Sequence, residues 1–154
     1  MRDFNQVDRE KKRGRIVLPD NPDQLSAAAL ETLGRAVETK ARDAHLPCPA
    51  AWKVAKEAGV SRLAVGVLID RLGIRVTHCQ LGCFGVSKTP RDEVAAGGFS
   101  DAAARRVEAL HQQGELTCAN VFALARELNE KPLAVAAAAN VRGYHLTQCQ
   151  LGCF

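Results

Sequence analysis

Aromatic residues are scarce in this chain of 154 residues, with five Phe, one Trp and one Tyr. Thr, Tyr and Ile are few beside abundant Ala, which weighs against extended sheet and towards helix. No apolar run approaches the roughly 18 residues that a membrane-spanning helix needs. The first fifteen residues, Met1 to Arg15, are polar and do not read as a secretory signal. A cytoplasmic location is therefore expected, where thiols stay reduced and spaced cysteines point to metal or redox chemistry rather than to disulfides. Gly-rich phosphate loops, Ser/His/Asp sets and paired carboxylates are missing too, so no catalytic residue is assigned.

What the chain does have is a duplication. Cys-Gln-Leu-Gly-Cys-Phe occurs at 79–84 and again at 149–154. Adding 70 to a residue number superimposes all six cysteines: Cys48 on Cys118, Cys79 on Cys149 and Cys83 on Cys153. Windows 48–84 and 118–154 align without gaps over 37 positions, 14 of them identical, and half of the identities lie in the last eight positions. A unit of about 55 to 60 residues is thus used twice, too small to be comfortable alone. The division expected is an arm at 1–22, a first repeat at 23–84, a linker at 85–98 and a second repeat at 99–154.

Helices are expected in the same order in both copies. In the first, Ser26 caps a helix reaching about Ala44, a second covers roughly 49–58 and ends at Gly59, and Ser61 caps a third that stops at Gly73. Ile74 to Val76 alternates like a brief strand, and a cysteine loop follows. The second copy reads as helices over 100–113, 119–129 and 132–142, with Asn129 standing where Gly59 stands in the first. The fold class is mainly α.

The stretch from Ala51 to Asp70 resembles the helix-turn-helix superfamily: Ala55 falls at the helix crossing, Gly59 at the turn, and Val60, Val65 and Leu68 at the buried positions. That resemblance implies two tandem trihelical or winged repeats, each ending in a cysteine loop. It also implies DNA as a partner, read by the second helix of the motif, and with it the alternative of a transcriptional regulator that senses metal or redox state through the same cysteines. The residues available for this are Ser61 and Arg62, with Lys11, Lys12, Arg13 and Arg15 on a basic arm that holds six basic and three acidic side chains in its first fifteen residues. A solvated, disordered arm is the competing expectation. Residues 62–72 and 132–142 are otherwise mostly apolar, which suits burial better than base readout.

The cysteines carry the chemistry. Each repeat offers Cys-x30-Cys-x3-Cys, and the expected ligand sets are Cys48, Cys79 and Cys83 in one and Cys118, Cys149 and Cys153 in the other. Soft thiolates suit iron–sulfur clusters, so two clusters of the [4Fe–4S] type are expected, in electron transfer or redox sensing. The open iron of each would take an exogenous ligand or a redox partner protein. Thr77, Gln80, Thr147 and Gln150 recur beside the thiols and read as donors towards sulfur. Zinc is the alternative, as a structural staple, but the four histidines do not pair between copies: Glu115 and Gln148 stand opposite His45 and His78.

Overall fold

The computed structural model describes residues 4–85 and 98–154, so the linker expected at 85–98 lies, apart from its two ends, outside the described residues. The chain is mainly helical, with seven helices among the described residues, none long and apolar enough to cross a membrane. It divides into two compact units, one running to Cys79 and including Gln150–Phe154, the other Gln80–Cys149. Both boundaries fall inside a hexapeptide, where the sequence placed the division in the linker.

In the first unit, α1 (Gln6–Arg13) is followed by α2 (Ala27–Lys40), β1 (His45–Pro47), α3 (Cys48–Ala58), α4 (Arg62–Arg71) and β2 (Arg75–Thr77). The ends follow from local chemistry. Ser26 Oγ accepts the Ala29 amide at 3.2 Å, and Ser61 Oγ accepts that of Ala64 at 3.0 Å. Helix α2 stops at Lys40, four residues before the expected Ala44, because Ala41 is extended and a bridge between Arg42 and His45 reverses the chain. Pro at the start of α3 costs little, since that amide has no intrahelical acceptor. Helix α3 packs on α4, and α2 covers both. Their interior faces are Leu33, Gly34 and Val37, then Ala51, Val54 and Ala55, then Val65, Leu68 and Ile69.

The brief strand expected at 74–76 is β2, one residue further on, and it has a partner. It pairs in parallel with β1 in the register His45↔Arg75, Leu46↔Val76 and Pro47↔Thr77. The pair brackets α3 and α4, one strand before and one after, and so is not a hairpin.

The second unit repeats this plan with α5 (Asp101–Gln112), α6 (Cys118–Glu127) and α7 (Pro132–Val141). Its buried residues include Ala103, Val107, Val121, Leu124, Ala125, Val135, Ala138 and Ala139, each 70 positions beyond a buried or helix-facing counterpart. The strand pair shrinks to one parallel bridge, Thr117↔Thr147, which is the Pro47↔Thr77 pair advanced by 70. Left-handed backbone recurs at the same interval, at Ala44 and Gly114, Gly59 and Asn129, Gly73 and Gly143, His78 and Gln148, and Gly82 and Gly152.

The basic arm is largely structured. Asn5 and Asp8 cap α1 reciprocally. Lys12 pairs with Asp70, Arg75 with Asp8 at 2.7 Å, and Arg71 donates to the Asp20 carbonyl. These contacts, rather than disorder, account for residues 4–20.

Candidate functional site

Cys48 is the first residue of α3 and Cys118 the first of α6, and both are buried. A helix N-terminus favours thiolate, because its unpaired amides and dipole stabilise negative charge. The parallel pairing brings the backbone that leads to a second cysteine alongside each. Cys48 follows Pro47, and Cys79 lies two residues past Thr77, its paired partner. In the second unit the Cys118 amide donates to the Thr147 carbonyl at 3.0 Å, two residues before Cys149. All six cysteines are thiols, with Cys79 buried and Cys83, Cys149 and Cys153 half-buried.

The third thiol of each repeat goes elsewhere. Gln150–Phe154 belong to the first unit and Gln80–Phe84 to the second. Residues sharing a unit are therefore Cys48, Cys79 and Cys153 in one and Cys83, Cys118 and Cys149 in the other, whereas sequence spacing groups Cys83 with Cys48 and Cys153 with Cys118. The receiving surface in the first unit is α4. Leu151 is only 1% exposed, and its backbone lies so close to Gly66 that a Cβ there would stand 2.7 Å from the Leu151 carbonyl carbon and 3.0 Å from its Cα. Gln150 accepts a hydrogen bond from Arg62. Gly152, in the left-handed region, leaves no room for a Cβ beside Leu18 and Leu63.

The donor chemistry fits a soft metal or an iron–sulfur cluster. Among the described residues, however, no three His, Cys, Asp or Glu side chains form a group that could hold a metal ion. Two of the histidines are engaged otherwise. His78 Nδ1 meets Thr77 Oγ1 at 2.9 Å, and the His111 ring stacks on Tyr144 at 3.7 Å. Thr77 is buried at 4% and makes its bond to His78, Thr147 is exposed, and Gln80 falls in the second unit.

The residues expected to meet DNA are dispersed in role. The Arg62 guanidinium lies over the Trp52 ring, 3.4 Å from its centroid. The Ser61 hydroxyl is the α4 cap, and its amide donates to Asp23 at 2.6 Å. Lys12 is held by Asp70, its side chain 13% exposed. Lys11, Arg13 and Arg15 remain exposed.

Sequence reasoning missed two clusters. Asp70 sits in the last turn of α4, and burial raises its carboxyl above the ordinary value although Lys12 opposes the shift. In the second unit the Tyr144 hydroxyl donates to Glu108 at 2.6 Å, which lowers the Glu108 carboxyl and raises the Tyr144 phenol. An acid near a helix C-terminus, against the dipole, is the one signal that could have exposed Asp70. No family model matches the sequence, and no curated protein or solved structure matches it.

Proposed function

We propose that the protein is a cytoplasmic iron–sulfur protein built from two tandem helix-turn-helix-like repeats, acting in electron transfer or redox sensing. The observation that carries this reading is the recurrence, 70 residues apart, of one arrangement: a thiol opening a helix, next to a parallel bridge that leads into a second thiol. Structural duty alone would not require the same pair of thiols twice. The helix-turn-helix likeness is supported by α3 and α4 meeting through a turn at left-handed Gly59, and by α6 and α7 meeting through left-handed Asn129.

The ligand sets proposed are those sharing a unit, Cys48, Cys79 and Cys153 in one and Cys83, Cys118 and Cys149 in the other. On this reading the third thiol of each set closes onto the other two as metal binds. A cluster, when bound, supplies one-electron chemistry. The chain's own residues supply thiolates favoured by helix N-termini and buried Leu81 and Leu151 that keep water from the loops. An exogenous ligand or redox partner would complete each open iron.

Purification without oxygen, followed by iron, acid-labile sulfide and zinc analysis, tests the reading. Iron with equal sulfide is expected; a colourless protein with zinc alone, or with no metal, refutes the cluster. Paired substitutions test the sets. Cys48→Ser with Cys153→Ser should leave half the iron, and Cys48→Ser with Cys83→Ser should remove nearly all of it. The reverse pattern would restore the grouping by sequence spacing.

A further inference from the structure

We propose that the first unit carries a binding site for a small phosphate monoester, between α1, the segment 14–20 and α4. It is independent of the thiols. A cavity of about 220 Å³ opens there, lined by the cations Arg9, Lys12, Arg13 and Arg71 and by the carboxylates of Asp20 and Asp70. Four positive charges against two negative ones leave an excess of two. The Lys12–Asp70 ion pair neutralises one of each sign, and Arg71 binds the Asp20 main-chain carbonyl rather than its carboxylate.

One donor is left without an acceptor. The Nε of Arg9 is buried and has no hydrogen-bond partner among the described residues, while Nη1 of the same guanidinium makes long bonds of 3.3 and 3.5 Å to the carbonyls of Arg71 and Asp70. A buried N–H is normally paired, so Arg9 lines the cavity with a guanidinium whose hydrogen-bonding capacity the protein leaves underused. A guanidinium presents its donors as a planar fork that matches phosphate oxygens. Arg13, exposed beside it and in no ion pair among the described residues, can close on the same anion. Ile16 and Val67 give the cavity an apolar wall that suits a short carbon body. Its volume is below the roughly 300 Å³ at which organic-ligand pockets begin, so a bulky nucleotide is excluded and a small monoester is preferred.

Titration calorimetry on the full chain, with glycerol phosphate, inorganic phosphate and a short single-stranded DNA in separate arms, tests the site. Saturable binding of glycerol phosphate is expected, tighter than inorganic phosphate. Arg13→Gln should weaken it about tenfold, the equivalent of one charge-assisted hydrogen bond. Arg9→Lys, which keeps the charge and removes the guanidinium fork, should weaken it at least as much, whereas Arg15→Gln should leave it unchanged. Binding of DNA alone, fading steeply with salt, would overturn the site, as would equal losses in the Arg13 and Arg15 variants. Should Arg9→Lys fail to fold, the comparison of Arg13→Gln with Arg15→Gln still decides.

Discussion

Replacing Gly66 by alanine should destabilise the protein, against the usual effect of filling a helical glycine. An interior Gly→Ala change in a helix normally gains up to about 1 kcal/mol from backbone entropy. At Gly66 the new methyl meets main-chain atoms of Leu151, 2.7 and 3.0 Å away, which cannot rotate aside. Two responses are open. Helix α4 can shift, at an overpacking cost of roughly 1–3 kcal/mol. Alternatively residues 150–154 can leave, which forfeits about 1.5–3 kcal/mol for burial of Leu151 and about 1 kcal/mol for the Arg62–Gln150 bond. After the helix gain is subtracted, the cheaper route leaves a net loss on the order of 1 kcal/mol. Gly34→Ala is the control, because its methyl would meet only Leu68 Cδ2 at 4.0 Å and should stabilise. Urea unfolding followed by Trp52 fluorescence measures both variants, and the alkylation rate of Cys153 reports departure of the loop. In a chain ended after Cys149, Gly66→Ala should stabilise like the control. If it stabilises the full chain by the same amount and leaves Cys153 alkylation unchanged, the docking of Leu151 on α4 is wrong.

Three further outcomes follow from the side-chain geometry. Burial holds the Asp70 carboxyl above 3.8, so the native state keeps that proton more tightly than the unfolded chain. Its contribution to stability is therefore present at low pH and falls as pH rises through the window above 3.8, and urea midpoints against pH should lose this fall in Asp70→Asn. The single tyrosine, Tyr144, should ionise above 10.0 because its hydroxyl donates to the Glu108 carboxylate; tyrosinate absorbance checks this, and Glu108→Gln should bring the midpoint back towards 10.0. Arg62→Ala should change Trp52 emission and cost about 2 kcal/mol by removing both the cation from the ring and the bond to Gln150; an unchanged spectrum would contradict the stacking.

Much of the fold was legible because it rests on local chemistry. Ser26, Ser61, Gly59 and Gly73 announce helix boundaries, and the structure sets them within about two residues apart from the end of α2. Strand β1 was not legible, since three residues around Leu46 carry too little alternation and gain meaning only from β2 opposite. The arm was read from its charge, yet Asn5 and Asp8 already spelled a reciprocal cap. Its charge does not say which cations the fold engages: Lys12 meets Asp70, 58 residues away, while Arg13 and Arg15 stay exposed.

The destination of the hexapeptides lies beyond local reading for a stricter reason. Two identical sequences carry identical propensities, so nothing within either can say which unit receives it. That information has to reside in the surface that accepts the loop. On α4 it does: the helix interrupts its apolar run with Gly66, a residue that weakens a helix by about 1 kcal/mol unless something needs the space. Leu151 occupies that space. At the same position α7 carries Ala136, buried at 2%, so α4 and α7 differ at this position while the two hexapeptides do not. Exchanging those two residues, Gly66→Ala with Ala136→Gly, should therefore perturb the first unit far more than the second, and Cys153 should become the more readily alkylated of the two loop thiols. Equal responses of Cys83 and Cys153 would mean that the glycine is not what recognises the loop.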